Sequence, residues 1–280
     1  MIRLATLKDL HTLVPFIYQM NQRPECYSGY MSLTQDTISK DVRQAIQQEG
    51  VLVVETDNIQ GVLVTHKNNE HKTIDVAGPY VIDADKALGK AFIQHVLASS
   101  DGFDLNFFFS DTSAYYHSLM TDFKATDGGV EDILVLHKVE PYQGFNHVDV
   151  RKLQPEDYDT IKTMHDAIFP EAYIQGKALI EPSQHKETFV AIKDDELIGY
   201  AHVKRMSLKA MLEVFALKAD ARGKGYAKPF LTNVLETVLN KTDVQTIELV
   251  VEAPNHKAIA LYEALGFTLK QRNRAFKLHK

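Results

Sequence analysis

The stretch "ALKADARGKGYAKPF", residues 216–230, contains two glycines, Gly223 and Gly225, beside basic residues. An apolar run precedes it, and apolar residues recur at helical spacing after it. Pro229 fits the first turn of that helix, whose N–H groups have no intrahelical acceptor. A strand that turns into a helix in this way directs free N–H groups and the positive end of the helix dipole at one point. Because glycines let an anion approach closely, the pattern predicts a phosphate-binding turn.

Two familiar phosphate motifs do not fit this stretch. There is no GxxxxGK[ST], and the dinucleotide pattern GxGxxG would need a third glycine where Lys228 stands. The stretch does fit [Q/R]-x-x-G-x-[G/A], read at Arg222, Gly225 and Ala227. Taken alone, this pattern is compatible with a flexible helix entry as well as with a phosphate site.

A second segment narrows the reading. "IELVVEAPNHKAIALYEALGF", residues 247–267, predicts a strand, then a helix that Asn255 caps and Gly266 ends, with Tyr262 on its apolar face. Together the two segments resemble the GNAT superfamily of acyl-CoA-dependent N-acetyltransferases, over roughly residues 148–280. The portion "LVVEAPN" is also similar to the corresponding strand of tandem GNAT proteins of the mycothiol synthase type.

The resemblance implies an acyltransferase with acetyl-CoA as co-substrate and no metal. In the family, the strands before the turn and before the second helix splay apart, and the pantetheine arm lies in the gap. The Leu217 backbone would orient that arm, and Asn255 would touch it. Backbone N–H groups would hold the pyrophosphate, contributed by Arg222, Gly223, Lys224, Gly225, Tyr226 and Ala227.

Two residues are candidates for the chemistry. Tyr262 matches the family tyrosine near the thioester sulfur, where a phenol can protonate the leaving thiolate; it can also simply fill the apolar helix face. Glu213 lies inside the apolar run "MLEVFAL" and is a candidate general base, or an outward-facing strand residue. His202 and the pair Arg272 and Arg274 are further candidates on the substrate side.

The order of predicted elements repeats along the chain. "GVLVVETDNIQGVLVTHK" and "TFVAIKDDELIGYAHVKR" both predict β-hairpins, each followed by a strand, a turn and a helix. We therefore predict an α/β fold with two tandem acyl-CoA N-acyltransferase-like domains, each a mostly antiparallel twisted sheet flanked by helices. The predicted bounds are 1–140 and 148–280, with a linker at 141–147. Two unrelated α/β domains with the same generic order are the alternative.

The first half reads as a degenerate copy. An alignment of the halves places residues 86–91 opposite the glycine turn, with Gly89 and Ala91 retained. It places Asp111 opposite Asn255 and Ser118 opposite Tyr262, and serine lacks the reach and acidity of tyrosine. We therefore expect the first half to bind acetyl-CoA weakly or not at all and to support the second half.

Composition narrows the partners. The net charge of −6 argues against nucleic acid, and no apolar run approaches the roughly 20 residues of a membrane span. Cys26 is the only cysteine, which favours a cytoplasmic protein without disulfides. The expected acceptor is a primary amine of a small molecule or peptide, selected by residues 169–185. Acceptor identity, acyl-chain preference and oligomeric state stay open, as do a non-catalytic acyl-CoA sensor or scaffold and an ATP-binding domain.

Overall fold

The computed structural model describes residues 1–170, 174–206, 208–240 and 243–279. The chain divides into two compact units, which are unit 1 (Met1–Glu131 with Gln271–Lys280) and unit 2 (Asp132–Lys270). Each unit is a mixed, mostly antiparallel sheet with helices against it, which confirms the predicted fold class.

In unit 1 the strands follow the order β1-β2-β3-β4-β5-β12. All neighbouring pairs are antiparallel except β4 with β5, which is parallel. The strands are β1 (Arg3–Leu4), β2 (Val51–Glu55), β3 (Ile59–Asn68), β4 (Thr73–Val81), β5 (Asp104–Ser110) and the later part of β12 (Thr268–Leu278). The helices are α1 (Leu10–Asn21), α2 (Gln35–Gln47), α3 (Lys86–Ser99) and α4 (Ala114–Asp122).

In unit 2 the order is β6-β11-β10-β9-β8-β7, and the parallel pair is β10 with β11. The strands are the later part of β6 (Thr126–Leu136), β7 (Asp149–Lys152), β8 (Lys186–Lys193), β9 (Glu196–Met206), β10 (Lys209–Leu217) and β11 (Thr246–Glu252). The helices are α5 (Tyr158–Ile168), α6 (Gly176–Ile180), α7 (Ala227–Leu239) and α8 (His256–Glu263). Both units thus have the same order of strands and helices, which is the repetition predicted from the sequence.

The compact units differ from the predicted bounds, 1–140 and 148–280. Unit 2 also contains residues 132–147, and the last residues of the chain belong to unit 1. The physical reason at the C-terminus is strand pairing, because Asn273–Leu278 pair with β5. The order of patterns along a chain does not reveal which sheet its last strand joins. The functional bounds themselves stay a prediction.

Local sequence signals account for the elements around the site. Asn255 caps α8 as predicted, and its side-chain oxygen accepts a hydrogen bond from the N–H of Ala258 at 3.2 Å. Gly266 follows the end of that helix with φ +100°, a conformation that favours glycine. On α7 the buried residues recur at the predicted helical spacing, including Phe230, Leu231, Val234, Leu235 and Val238. The cap and the terminating glycine thus account for the two ends of α8, and the apolar spacing accounts for the buried face of α7.

Candidate active site

A cavity lies between β10 and β11. The two strands pair in register at Lys209–Met211 and Thr246–Glu248. Beyond these pairs there is a cavity of about 530 Å³, lined by residues of both strands and of α8. The lining consists of His165, Phe169, Ile174, Leu212, Glu213, Val214, Phe215, Leu249, Val250, Val251, Glu252, Asn255, Ala258 and Tyr262. The opening implied by the family resemblance is therefore present in unit 2.

Glu213 reaches the cavity at an irregularity in β10. The register between β10 and β9 shifts between Leu212 and Val214, and a bulge of this kind redirects the side chain it contains. Burial raises the pKa of Glu213, while the positive charges of Lys204 and Lys186 oppose that shift. The carboxyl group is thus partly buried and lines the cavity, which favours the functional interpretation over an outward-facing strand residue.

Tyr262 and Asn255 line the same cavity from α8. The Tyr262 ring meets the Phe267 ring edge to face at 5.7 Å, so the side chain also packs against the core. Burial raises the pKa of Tyr262 to about 12. The phenol therefore keeps its proton at neutral pH and can donate it to a strong base.

The glycine turn joins β10 to α7 over residues 218–226. Gly223 has φ +74° and Gly225 has φ +81°, both in the left-handed region that favours glycine. No described side chain caps the N-terminus of α7. The N–H groups of Ala227 and Lys228 therefore have no side-chain cap, and the helix dipole favours negative charge beside them; Pro229 has no N–H, and that of Phe230 donates to the Tyr226 carbonyl.

The other predicted turn residues occupy their expected places. Arg222 folds back on the strand, and its Nε donates to the Leu217 carbonyl at 3.0 Å. Lys224 and Tyr226 lie in the turn, and Ala227 is the first residue of α7. Among the described residues of β10, the cavity lining ends at Phe215, so Leu217 and the turn lie beyond it along the chain.

One residue at the turn was not predicted. The Asn146 amide Nδ2 donates to the Lys224 carbonyl at 3.0 Å, and a Cβ on Gly225 would collide with that same nitrogen. Asn146 falls in the predicted linker, almost 80 positions from the turn in sequence. No local pattern marks this residue, because its partner is distant in the chain.

Two buried histidines, His165 and His202, lie at or beside the cavity. His165 lines it, and its ring bonds the Tyr200 hydroxyl and the Ile174 carbonyl, each at 2.6 Å. His202 lies next to Glu213, with 3.7 Å between His202 Nε2 and Glu213 Oε2. The sequence offered His202 only as an open candidate, and it gave no signal for His165 beyond a histidine among the apolar positions of a helix.

The other candidates on the substrate side have different outcomes. Arg274 belongs to unit 1, where its guanidinium donates to Asp111 and Asp127, each at 2.9 Å. From the predicted selectivity segment 169–185, Phe169 and Ile174 line the cavity. Residues 171–173 of that segment lie outside the described residues.

The equivalent turn of unit 1 is built differently, and the alignment at residues 86–91 is wrong. These residues are helical in α3, and only residues 82–85 separate that helix from β4. Asp85 caps α3, because its carboxylate accepts from the N–H groups of Ala87 and Leu88 at 2.9 and 3.1 Å. A Cβ on Gly89 would collide with the Tyr115 hydroxyl, so the space beside this glycine is already filled. The helix N-terminus already binds an anion from its own chain.

The predicted alignment of the second motif is also displaced by two residues. The capping residue of α4 is Ser113, which accepts from the Tyr116 N–H at 3.3 Å as Asn255 does at the start of α8. Pairing the two caps places Met120, not Ser118, opposite Tyr262. The alignment failed because it was anchored on a phenylalanine after the helix rather than on the helix cap. Met120 is buried and has no proton to donate.

The described residues contain neither a metal-binding cluster nor a membrane-spanning helix. Within these ranges, no cluster of three or more His, Cys, Asp or Glu side chains has an arrangement suited to a metal ion. Nor does any described helix combine the length and apolar character required to cross a membrane. The cytoplasmic location stays a prediction.

The sequence of this chain is similar to those of known acetyltransferases. Residues 149–267 match the sequence model of the acetyltransferase (GNAT) family. A mycothiol acetyltransferase from Corynebacterium efficiens is 38% identical over 80 residues, which are 28% of this chain and 27% of the relative. An L-amino acid N-acetyltransferase from Escherichia coli is 24% identical over 148 residues, 48% of this chain and 90% of the relative. The chain therefore matches only about a quarter of the length of the mycothiol acetyltransferase.

Solved structures show the same fold over nearly the whole chain. A GCN5-related N-acetyltransferase from Sphaerobacter thermophilus has a TM-score of 0.68 at 13% identity, covering 99% of this chain and 94% of that one. A tandem GNAT protein from the clavulanic acid biosynthesis pathway has a TM-score of 0.63 at 14% identity, covering 99% and 97%. At such identities the likeness concerns the fold alone.

Proposed function

We propose that this protein, whose residues 149–267 match the sequence model of the acetyltransferase (GNAT) family, transfers an acetyl group from acetyl-CoA to a primary amine of a small molecule or peptide. The observation that carries this proposal is the cavity between β10 and β11, which has Glu213 and Tyr262 in its lining. The cavity lies beyond the three residue pairs that join β10 to β11. After β10, the chain continues through the turn into α7, whose N-terminus has no side-chain cap.

The turn 218–226 is proposed to hold the CoA pyrophosphate. The glycine positions and the uncapped start of α7 support this role, because backbone N–H groups there can donate to phosphate oxygens. Asn146 holds the Lys224 carbonyl through its amide, and a carbonyl held in place cannot rotate toward the phosphate. Leu217 and Asn255 are proposed to contact the pantetheine arm on its way into the cavity.

Glu213 is proposed to accept a proton from the incoming ammonium group. An amine attacks a carbonyl carbon only through its neutral lone pair, and Glu213 lines the cavity where the thioester would lie. The neutral amine then attacks the acetyl carbon directly, so a C–N bond forms while the C–S bond breaks. Both substrates must be present together for this reaction.

Tyr262 is proposed to protonate the departing thiolate. Its position in the cavity lining supports this role, as does its retained proton at neutral pH. The electron pair of the broken C–S bond stays on sulfur and takes the phenolic proton. The acylated nitrogen loses its second proton to solvent to give the neutral amide, and the phenolate regains a proton from solvent before the next turnover.

The names of the relatives support a class of acceptor but not a particular amine. The names mycothiol acetyltransferase and L-amino acid N-acetyltransferase support a small-molecule acceptor. They differ from each other, so they do not select one amine for this chain.

A thiol-release assay tests the proposal. The purified chain is given acetyl-CoA and a panel of primary amines, comprising amino acids, amino sugars, a polyamine and an aminoglycoside. We expect at least one amine to release CoA, and Gly225→Val to abolish release and weaken acetyl-CoA binding by more than about tenfold. Gly102→Val is the matched control, since Gly102 also has positive φ, +74°, but lies in open space in unit 1.

The outcomes separate the alternatives. Acetyl-CoA binding without turnover of any amine would favour a non-catalytic acyl-CoA sensor. Absence of both would reject the proposal, and ATP competing with CoA would favour the nucleotide-binding alternative.

A further inference from the structure

Glu213 and His202 face each other with atoms that have no hydrogen-bond partner. Glu213 Oε2 and His202 Nε2 are both buried and unpaired among the described residues, and they lie 3.7 Å apart. The His202 side chain is only 2% exposed. An unpaired buried polar atom costs about 1–3 kcal/mol, so two of them side by side are a costly arrangement that needs an explanation.

The proton of the His202 ring is located by its other neighbour. His202 and Thr188 are directly opposite each other on β9 and β8, and the Thr188 hydroxyl lies 2.7 Å from His202 Nδ1. That hydroxyl donates its single proton to the Leu179 carbonyl, also at 2.7 Å. It can therefore only accept from Nδ1, so the neutral His202 ring carries its proton on Nδ1 and a lone pair on Nε2.

With that tautomer, two acceptors face each other whenever Glu213 is ionised. One added proton between them converts the unfavourable contact into a charge-assisted hydrogen bond. We propose that Glu213 and His202 form a single proton-accepting unit, in which Glu213 takes the proton of the acceptor's ammonium group and His202 Nε2 shares it. This inference rests on the proposed acetyl transfer and assigns His202 and Thr188 as positioning residues for it.

The substrate R–NH3⁺ loses one proton to Glu213 at the cavity and becomes R–NH2. The proton is then held between Glu213 Oε2 and His202 Nε2, and the N–H bond electrons remain on the amine nitrogen for attack. After acetyl transfer, this proton passes from the pair to solvent as the product is released.

The surroundings agree with this role. Burial, with Lys186 and His165 contributing, lowers the pKa of His202 to about 4, so the ring is neutral at pH 7 and Nε2 is free to accept. The charged or titratable groups that act on the pair are Lys186 on β8, Lys204 on β9 and His165 on α5. The lysines favour the ionised carboxylate, which is the form that accepts a proton.

The first test measures the tautomer in the full-length protein without any ligand. Histidine ring nitrogens are ¹⁵N-labelled, and His202→Gln identifies the His202 signals. At pH 7 we expect a protonated Nδ1 and an unprotonated Nε2 in the wild type. Thr188→Val should move the proton to Nε2, because valine offers Nδ1 no acceptor, whereas Thr188→Ser should not. A wild-type ring with its proton on Nε2 would overturn the proposal, as would an unchanged tautomer in Thr188→Val.

The second test uses turnover with acetyl-CoA and the best amine of the panel. We expect Thr188→Val to lower kcat/KM by at least about tenfold, with acetyl-CoA affinity unchanged within about twofold, and Thr188→Ser to stay near wild type. Full activity in Thr188→Val, with thermal unfolding confirming a folded protein, would reject the shared proton. Failure of every amine in the wild type would instead reject the proposed function, and the tautomer measurement would still decide whether the pair is arranged as stated.

Discussion

The N-termini of α7 and α3, which are equivalent helices of the two units, differ in the length of the preceding turn and in capping. In unit 2, residues 218–226 lead into α7, and the helix has no side-chain cap. In unit 1 only residues 82–85 lead into α3, and the Asp85 carboxylate occupies its first N–H groups. We therefore expect anion binding to depend on the length and capping of this one turn rather than on the order of strands and helices.

The space beside the parallel strands also differs between the units, β4 and β5 in unit 1 and β10 and β11 in unit 2. In unit 1, Tyr116 is fully buried. Its hydroxyl donates to the Cys26 carbonyl at 3.1 Å and lies 3.5 Å from the Pro79 carbonyl of β4, and its ring stacks on Phe109 of β5 at 4.8 Å. In unit 2 the corresponding region holds the cavity of about 530 Å³. Aromatic side chains thus occupy in unit 1 the space that is open in unit 2.

What the two units share is structural. Arg3 and Asp9 of unit 1 form a two-fold hydrogen-bonded ion pair, and Arg151 and Asp157 of unit 2 form the same pair. The pairs tie β1 and β7, respectively, to the start of the following helix, and each aspartate also accepts from a backbone N–H of the turn. Both units have this pair, but only unit 2 has the long turn. We therefore expect unit 1 to support unit 2 rather than to bind the cofactor.

The largest expected effect is on the chemical step at Tyr262, whose counterpart in unit 1 is Met120. Tyr262→Phe removes the proton donor but keeps the ring, so we expect turnover to fall by about 10²-fold or more. Acetyl-CoA affinity, measured by titration, should change by less than about twofold. Unchanged turnover would remove Tyr262 from the mechanism and erase this difference between the units.

The next effect concerns the shared ion pairs and the acid range. Asp157→Asn should lower the free energy of unfolding at pH 7 by about 1.5–3 kcal/mol, and the more exposed Asp9→Asn by less. Hydrogen bonds from Arg151 lower the folded-state pKa of Asp157, so its stabilisation is present above the unfolded pKa and is lost as pH falls through the folded one. The Tm of thermal unfolding should therefore fall less steeply from pH 7 to pH 3 in Asp157→Asn than in the wild type. An identical pH profile in wild type and variant would contradict this account.

The smallest effect tests why unit 1 lacks a site. Asp85→Ala removes the cap of α3 and should destabilise the protein by about 1 kcal/mol. It should create no acetyl-CoA site, because the four-residue turn and the Tyr115 hydroxyl beside Gly89 remain. A second site appearing in Asp85→Ala would mean that the cap alone blocks binding.

Much of unit 2 was predictable because its signals are local. The glycine turn, the Asn255 cap and the Gly266 helix end each depend on residues within a few positions of one another. Asn146, His165 and the Thr188 partner of His202 were not predictable, since each acts through a residue brought near by folding. The alignment of unit 1 failed for a related reason, because a shortened turn shifts the register and leaves no marker in the sequence.

The stoichiometry of acetyl-CoA binding tests the central claim most directly. Isothermal titration of the full-length protein needs no knowledge of the acceptor amine. We predict one site per chain, lost in Gly225→Val and retained in Gly102→Val. Two sites per chain, or one site that survives Gly225→Val, would contradict the prediction that only the turn of unit 2 binds the cofactor phosphates.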